Sequence, residues 1–552
     1  MPKHEYEKYF PFRKIRDEQK RAIEFAIDSF ESGKKFVILE LATGCGKSAV
    51  AITIARYFSQ NHSISIGHDG SPLRGSYCLT TQKILQKQYL DDFGPDSEVK
   101  NVGLLSIKSS NNYRCGYYTD QSCAESRRVL TQLGKSVAGT DFFNHCKGGS
   151  CKYAEDKIAF LEANISLTNF AYFFAETTYG KQLKPRKFLI VDEAHNIENE
   201  LGNFVEIVFS MKFAKDVLKC KKMPRADTQT DVIAWLKRYY KPAAMKHKKS
   251  IEIAIQSKVF DNNIYAFSDL SKQYELLDKH VCKINRFLET YEQNNWVMNA
   301  VQPVGKSGKK YEFKPVDVSS YAGAALYAYG EKVLLMSATI VDKETYCKSI
   351  GIDPNDADML SIPSPFPVKN RSVHYLPIGS MSKNNIEKTL PILAAAVKEL
   401  LEHHKDEKGI IHCVSSKVAN CLFEAVGSDR LLVHDSTNRD EVLRQHIEST
   451  LPTVLLSPSM TEGVDLADDA SRFQVLCKVP FPYLGDEVIR KRMEKNSSWY
   501  PYQTAKSIIQ ALGRSVRNSD DFATSYILDA DWDFFYKRNR KYFPSDFSSL
   551  LS

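Results

Sequence analysis

Short apolar runs rich in β-branched residues recur along the chain, and segments of helical composition separate most of them. Runs of this kind predict buried strands, and their alternation with helices predicts parallel sheets with helices on both faces. The predicted strands are residues 36–39, 77–82, 187–191, 332–336, 409–414, 431–434, 454–457, 475–479 and 526–529. The pattern therefore predicts an α/β protein with two doubly wound, parallel-sheet domains.

The pattern changes in residues 205–330, where helix-forming residues and basic clusters replace the apolar runs. Apolar residues repeat there at alternating steps of four and three, the heptad pattern of a long helix packed against another helix. The repeat consists of Leu270, Tyr274, Leu277, Val281, Ile284, Leu288 and Tyr291. The basic run 246–249 fits either a solvated face or a nucleic-acid path. We predict a mainly helical insertion here.

A glycine loop follows the first predicted strand, in the sequence ELATGCGKS of residues 40–48. Its backbone N–H groups can close around a phosphate, and the N-terminus of the helix predicted behind it adds positive charge. Lys47 can reach the β- and γ-phosphates, and Ser48 is placed to bind Mg²⁺. Leu41 stands where the strict phosphate-loop motif has glycine, a variant used by helicase-like motor ATPases. An ordinary glycine-rich turn is the alternative.

Acidic residues follow the strand predicted at 187–191. The carboxyl end of a central strand is where open α/β sheets bind ligands. Asp192 is predicted to hold Mg²⁺ through its water shell, and Glu193 to orient and deprotonate an attacking water. An acidic strand-to-loop turn is the alternative, but the phosphate loop upstream favours the catalytic interpretation.

Polar side chains near both ends of the chain extend the candidate nucleotide site. Gln510, Arg514 and Arg517 are spaced to share one helix face, from which two guanidinium groups can clamp a γ-phosphate across a cleft. Considered alone, they also fit a basic solvent-exposed face. Near the N-terminus, the amide of Gln19 can hydrogen-bond adenine, although a single glutamine is more often a surface residue.

Four cysteines lie in a polar segment that is short of aliphatic residues, with the spacing C-x7-C-x22-C-x4-C. They are Cys115, Cys123, Cys146 and Cys151. Structural zinc usually pairs its cysteines two to four residues apart, so the first interval suits an iron–sulfur cluster better. Zinc and four independent free thiols remain the alternatives.

Composition and charge set wider limits on the class of protein. The 552 residues are 43% hydrophobic and 26% charged, as in globular proteins, and are expected to form several domains. The formal net charge of +8 permits a polyanionic partner without requiring one. No signal peptide or membrane-spanning run is predicted, so we expect a cytoplasmic protein, or a nuclear one in a eukaryote, with reduced cysteines and no membrane partner.

Eleven short motifs follow one another in an order that resembles the XPD/DinG-type iron–sulfur helicases of superfamily two. The resemblance covers nearly the whole chain. Its motifs are RDEQ (16–19), ATGCGKS (42–48), NNYRC (111–115), CKY (151–153), TNFAYFF (168–174), VDEAHN (191–196), LLMSATI (334–340), SPFP (364–367), TEGVDL (461–466), KVPFP (478–482) and QALGRSVRN (510–518).

The resemblance implies two RecA-like motor domains, with an iron–sulfur insertion and a helical arch insertion in the first. The implied boundaries are 1–108, 159–204 and 331–345 for motor domain 1, 109–158 for the cluster domain, 205–330 for the arch and 346–552 for motor domain 2. It also implies a four-iron, four-sulfur (4Fe–4S) cluster on the four cysteines, with ATP and Mg²⁺ as the other cofactors.

Site residues carried over from the resemblance fall into two groups. The nucleotide-binding group is Arg16, Gln19, Ala42, Thr43, Gly44, Cys45, Gly46, Lys47, Ser48, Gly463 and Asp465. The catalytic group is Lys47, Asp192, Glu193, His195, Gln510, Arg514 and Arg517, with Ser48 and Asp192 as the Mg²⁺ ligands.

The function that follows from the resemblance is ATP-dependent, 5′ to 3′ movement on single-stranded DNA with duplex separation at the cluster domain. We expect a monomer that binds single-stranded and forked DNA. A translocase that displaces proteins or opens RNA–DNA hybrids is the first alternative. A redox-sensing DNA-binding protein is the second, but such a protein needs neither Glu193 nor the paired arginines.

Overall fold

The computed structural model describes residues 5–61, 65–67, 70, 72–81, 83–99, 101–133, 139–147, 150–258, 264–302, 308–435, 437–458, 466, 468–513, 515–516 and 520–552. Two parallel sheets dominate these residues, and a small antiparallel sheet and a two-stranded ribbon accompany them. Helices cover the parallel sheets, as the alternating sequence pattern predicts.

The strands are β1 (Phe36–Leu41), β2 (Ser65–Ile66), β3 (Pro72–Leu73), β4 (Ser76–Thr80), β5 (Leu104–Ser106), β6 (Ile165–Asn169), β7 (Arg186–Val191), β8 (Ile207–Ser210), β9 (Trp296–Val301), β10 (Lys310–Pro315), β11 (Gly330–Ser337), β12 (Ala357–Ile362), β13 (Val373–Gly379), β14 (Gly409–His412), β15 (Leu431–Val433), β16 (Val454–Ser457), β17 (Phe473–Leu476) and β18 (Thr524–Asp529).

The α-helices are α1 (Asp17–Glu31), α2 (Lys47–Asn61), α3 (Lys83–Phe93), α4 (Cys123–Leu133), α5 (Asp141–Lys147), α6 (Lys152–Glu162), α7 (Phe170–Ala175), α8 (Ile197–Val205), α9 (Met211–Asp216), α10 (Gln229–Trp235), α11 (Lys241–Lys258), α12 (Ile264–Glu289), α13 (Ser319–Ala325), α14 (Lys343–Ser349), α15 (Ile386–His403), α16 (Ser416–Val426), α17 (Arg439–Glu448), α18 (Glu487–Lys495), α19 (Trp499–Leu512), α20 (Asp531–Asn539) and α21 (Phe547–Leu550).

Motor domain 1 is built on a seven-stranded sheet in the order β12-β1-β11-β7-β4-β6-β5, in which every pair is parallel. The central strands β1, β7 and β11 are almost entirely buried, as continuous apolar runs require. Because the strands are parallel, the loops after β1, β7 and β11 emerge at one edge of the sheet. These ends and loops carry the glycine loop, the acidic box (Asp192–His195) and the SAT segment (Ser337–Thr339).

The first sheet extends past the boundary predicted at 345/346. Strand β12 pairs with β1, in a register that places Leu360 opposite Leu39. It is an edge strand with four partly or fully exposed residues in the middle of its run of six, so it lacks the continuous apolar pattern of a buried strand. Motor domain 1 therefore continues at least to Ile362.

Motor domain 2 contains a six-stranded parallel sheet in the order β13-β18-β17-β14-β16-β15. Its five last strands coincide with the strands predicted in this half of the chain, within about two or three residues at each end. One apolar core continues from motor domain 1 into this domain, since Tyr346 and Ile350 belong to the same buried cluster as Tyr502 and Ile508. The two domains are therefore packed directly against each other.

The arch insertion contains the predicted long helix and, in addition, a sheet that was not predicted. Helix α12 contacts α11 and α4, and the heptad positions along it face one apolar cluster. The antiparallel sheet β8-β10-β9 packs on the same cluster through Phe209, Tyr311 and Phe313. Across the described residues, none of the helices has both the length and the apolar character needed to cross a membrane.

Candidate nucleotide site and cysteine segment

The glycine loop between β1 and α2 adopts a conformation that two of its residues can reach only because they are glycines. Gly44 and Gly46 have φ values of +84° and +74°. A Cβ built on Gly46 would lie 2.5 Å from Nε2 of Gln19 and 2.8 Å from Nη2 of Arg16. The predicted adenine-binding residues and the predicted phosphate loop are therefore in direct contact.

Arg16 and Gln19 hold this contact by hydrogen bonds. Nη1 of Arg16 donates to the carbonyl of Gly44 at 2.9 Å, and the amide of Arg16 donates to Oε1 of Gln19 at 3.0 Å. The second bond also caps the N-terminus of α1. The start of α1 is thus fixed to the glycine loop.

A cavity of about 1620 Å³ lies between the two motor domains and receives the loop. Six of the seven predicted loop residues line it, and they are Ala42, Thr43, Gly44, Gly46, Lys47 and Ser48. Cys45 does not line it, because its side chain is 2% exposed and packs in the apolar core behind the loop. Any contribution of Cys45 to nucleotide binding would therefore come from its backbone N–H group, as predicted for the loop.

Asp192 is buried at the carboxyl end of β7. Its Oδ2 accepts a hydrogen bond from the Tyr89 hydroxyl at 3.0 Å, and its Oδ1 accepts the amide of Glu193 at 2.9 Å. Burial, with the neighbouring Glu193 carboxylate, raises the pKa of Asp192 to about 6, while Lys47 opposes the shift. A cation bound beside Asp192 would favour its charged form.

Glu193 and His195 lie at the wall of the cavity, beside the SAT segment. Glu193 has φ of +52°, a left-handed conformation that is strained for a residue with a side chain. Nδ1 of His195 is 3.3 Å from Oε2 of Glu193 and 2.7 Å from Oγ of Ser337. The amide of Thr339 donates to the same Ser337 hydroxyl at 3.0 Å, so the acidic box and the SAT segment share one hydrogen-bond network.

Motor domain 2 reaches this network through Gln510 on α19. Its Nε2 donates to Oγ1 of Thr339 at 3.0 Å, and Gln510 also lines the cavity. The four remaining predicted residues, Gly463, Asp465, Arg514 and Arg517, lie outside the described residues. The geometry therefore brings together the loop, the acidic box, Gln19 and Gln510.

A buried carboxylate joins the two domains close to the acidic box. Glu198 on α8 is 8% exposed and lies 3.0 Å from the guanidinium of Arg492. The indole of Trp499 and the amide of Gln503 each donate to it at 3.2 Å. Because a buried charge needs such partners, this cluster is a fixed point between α8 and helices α18 and α19.

Three residues around the cavity were not identified from the sequence. Phe12 lines the same cavity as Gln19 and is half exposed, with its ring 5.8 Å from that of Phe93. Tyr89 is the buried partner of Asp192, and Glu40 lines the cavity at the end of β1. For Phe12, the available sequence signal was the aromatic sequence Phe10-Pro11-Phe12 shortly before the RDEQ motif at 16–19.

The four predicted cluster cysteines are all buried, with exposures between 2% and 6%. Sγ of Cys123 is 3.7 Å from Sγ of Cys151, and Cys115 and Cys151 both contribute to raising the pKa of the Cys123 thiol, after burial. Cys115 and Cys146 both raise the pKa of Tyr118, although burial has the larger effect. The four thiols therefore lie in one neighbourhood.

The chemistry of this neighbourhood fits a thiolate-bound metal group. The amide of Tyr118 donates to Sγ of Cys115 at 3.3 Å, a bond typical of ligating sulfur. Beside it, Nε2 of His145 is buried without a hydrogen-bond partner among the described residues. The described His, Cys, Asp and Glu side chains do not, however, include three that converge closely enough to hold a single metal ion.

Two family descriptions match separate parts of the chain. Residues 13–223 match the family described as type III restriction enzyme, res subunit, and residues 395–549 match the family described as helicase C-terminal domain. The first range contains the glycine loop and the acidic box, and the second contains Gln510.

The chain is also similar to known helicases. It is 22% identical to the ATP-dependent DNA helicase YoaA of Haemophilus influenzae over 92% of its own length and 89% of that protein. It is 26% identical to the ATP-dependent DNA helicase DinG of Photobacterium profundum over 40% of this chain and 34% of that one. A solved XPD helicase shares the fold, with a TM-score of 0.61 and 14% identity over 96% of this chain and 98% of that one. The chain is therefore similar, along nearly its whole length, to XPD/DinG-type helicases of superfamily two, and we identify it as an ATP-dependent helicase with two RecA-like motor domains.

Proposed function

We propose that the chain hydrolyses ATP between its motor domains in order to move 5′ to 3′ along single-stranded DNA and to separate duplex at the cysteine segment. The observation that carries this proposal is the single cavity that the glycine loop, the acidic box and Gln510 line together. A site shared by two domains can close on ATP and open after hydrolysis, which a translocating motor requires.

The glycine loop binds the phosphates in this proposal. Lys47 neutralises the β- and γ-phosphates, and Ser48 with Asp192 would hold Mg²⁺ against them. Gln19 faces the adenine, and the half-exposed ring of Phe12 can stack on it. Since Arg16 and Gln19 contact the loop directly, base binding and phosphate binding are mechanically linked.

Glu193 acts as the general base that orients the attacking water. Its carboxylate is held near His195, which the Ser337 hydroxyl fixes from the other side. Gln510 contributes from motor domain 2, and we assign Arg514 and Arg517 to the γ-phosphate by their family motif. Gly463 and Asp465 are assigned, on the same basis, to the coupling of nucleotide and DNA.

Cys115, Cys123, Cys146 and Cys151 are the proposed ligands of a 4Fe–4S cluster. Such a cluster, when bound, supplies strong bonds that tie together four separate points of the chain. The cysteines lie in or beside α4, α5 and α6, a small region with few aliphatic residues. Fixed in this way, the region can act as a rigid wedge at the duplex junction.

The arch insertion completes the proposed DNA path. Helix α4 of the cysteine segment packs on α12 of the arch, and Arg128 lies 2.7 Å from Glu275 across this junction. A junction of this kind supports a hole through which a single strand passes. Within the basic run, Lys248 pairs with Asp278 and Lys249 with Glu252, which favours a solvated face there over a DNA path.

Two assays on the same protein test the proposal against the translocase alternative. The first measures strand separation of a forked duplex, and the second measures displacement of a protein bound to single-stranded DNA, both with ATP and Mg²⁺. We expect strand separation that depends on ATP. Displacement without strand separation would show that the chain is a translocase.

A further inference from the structure

The carboxylate of Glu40 accepts hydrogen bonds from a turn that lies 300 residues later in the sequence. Glu40 is the penultimate residue of β1 and the first residue of the 40–48 segment that contains the glycine loop. Its Oε1 accepts the amides of Ile340 at 2.7 Å and Val341 at 2.6 Å. Its Oε2 accepts the Ser361 hydroxyl at 2.6 Å. Three donors on one carboxylate make this a strong, charge-assisted contact.

The turn that Glu40 holds is strained. Val341 has φ of +71°, a left-handed conformation that is unusual for any residue with a side chain and most unfavourable for a β-branched one. The amide of Asp342 donates to the carbonyl of Ile340 at 2.9 Å, which closes a three-residue γ-turn around Val341. A γ-turn with positive φ at its centre is rare, so the surroundings must hold it in place.

The strained turn sets the positions of groups on both sides of it. On its N-terminal side is Thr339, the partner of Gln510 in motor domain 2. On its C-terminal side, Asp342 caps α14 by accepting the amide of Thr345 at 2.8 Å. From α14, the hydroxyl of Tyr346 donates to the carbonyl of Ala194, inside the acidic box, at 2.9 Å.

We propose that Glu40 is a positioning residue that couples the phosphate loop to the SAT segment, by holding the turn at Val341 in its strained conformation. Glu40 does not touch the reacting atoms in this account. By holding the turn, it keeps Thr339 in contact with Gln510 and α14 in contact with the acidic box. A movement of the phosphate loop is thereby transmitted to motor domain 2. The inference rests on the proposed hydrolysis of ATP in this cavity.

Removal of the carboxylate tests the inference. In Glu40→Ala the two amides lose their acceptor, and we expect DNA-stimulated kcat for ATP to fall about tenfold, with KM for ATP within about twofold of the wild-type value. Glu40→Gln keeps an amide oxygen for the two N–H groups, so its kcat should stay within about threefold of wild type. Glu344→Ala removes an exposed carboxylate of the same domain, which pairs with Lys348, and serves as the matched control with near wild-type kinetics.

A second substitution distinguishes loss of the strained turn from a general loss of structure as the cause of the lower kcat. Glycine adopts positive φ without strain, so Val341→Gly in the Glu40→Ala background should recover kcat by about threefold or more. If Glu40→Ala lowers the melting temperature, Glu40→Asp replaces it, because the shorter carboxylate does not reach the two amides that Oε1 of Glu40 accepts.

Several results would overturn the inference. A wild-type kcat in Glu40→Ala, a rise in KM with unchanged kcat, or a Val341→Gly substitution that recovers nothing would each do so. Wild-type protein that does not hydrolyse ATP would instead contradict the proposed function.

Discussion

Nε2 of Gln510 donates to Oγ1 of Thr339 at 3.0 Å, and this bond joins the last motif of motor domain 2 to the SAT segment of motor domain 1. The same segment reaches the acidic box through Ser337 and His195 at 2.7 Å. A change in the angle between the domains is therefore transmitted to the residues proposed to activate water.

Loss of the Thr339 hydroxyl should weaken this transmission. We expect Thr339→Val to lower DNA-stimulated ATP turnover by about five- to tenfold, since one hydrogen bond contributes about 1 kcal/mol. Thr339→Ser keeps the hydroxyl and should behave like the wild type. Steady-state hydrolysis with saturating single-stranded DNA measures the difference, and equal turnover in the valine and serine variants would contradict the account.

Lys47→Ala should abolish DNA-stimulated ATP hydrolysis and leave the fold intact. The side chain makes a long contact of 3.5 Å with the carbonyl of Leu41, so its loss costs the apo protein little stability. Its charge is required on the phosphates, where its removal should reduce turnover by about a hundredfold or more. Lys348→Ala changes an exposed lysine of the same domain and is the matched control. Undiminished hydrolysis in Lys47→Ala, with an unchanged melting temperature, would show that the loop is not the site.

Cys146→Ser tests the cluster. Because serine is a poor ligand for iron, we expect the variant to lose a broad visible absorption band and duplex separation, with a smaller effect on basal ATP hydrolysis. Cys282→Ser alters an exposed thiol on α12 and should keep both properties. Full unwinding by a cluster-free protein would contradict the wedge role. A colourless wild-type protein with bound zinc would reject the cluster.

Motor domain 2 should become less stable in mild acid because of His446. Burial lowers its pKa from 6.5 to about 4, and its neutral ring bonds the Thr453 hydroxyl and the Ala470 carbonyl, each at 2.8 Å. The unfolded chain then binds a proton that the folded one does not. The free energy of unfolding therefore falls as pH drops from about 6.5 toward 4, by about 3 kcal/mol in full.

Denaturant unfolding of wild type and His446→Gln at pH 7 and pH 5 measures this contribution. We expect the glutamine variant to lose less stability between the two pH values. Half-buried His280 of the arch has a similarly lowered pKa of about 4 and remains in both proteins, which makes it an internal reference. Equal pH dependence in the two proteins would rule out a contribution from His446.

The strands that could be predicted from sequence are those with continuous apolar runs, such as β1, β7 and β11. Strands β12 and β13 were missed because they are edge strands with several exposed positions. The arch strand β10 was missed because it alternates buried and half-buried residues and contains two lysines and a glutamate, so it has no continuous apolar run. Exposed positions along an edge strand interrupt the continuous apolar run that predicts a buried central strand.

Most of the nucleotide site could be predicted because its residues lie in short motifs with known spacing, as Lys47 and Asp192 do. Glu40 and Tyr89 could not, because their roles come from contacts with residues about 100 to 300 positions away. The burial of the Cys45 side chain could not be predicted either, because a motif position does not reveal which way its side chain points. Sequence motifs identified many of the residues that line the cavity, and the fold shows the residues that hold them in place.

Polarity of unwinding tests the central claim most directly. The measurement compares one duplex that bears either a 5′ or a 3′ single-stranded tail, with ATP and Mg²⁺. The account predicts that the protein opens the 5′-tailed duplex and leaves the 3′-tailed one closed. Opening of the 3′-tailed duplex alone would contradict the proposed direction and DNA path while keeping the motor. Opening of neither, with DNA-stimulated ATP hydrolysis intact, would contradict the helicase function and leave a translocase.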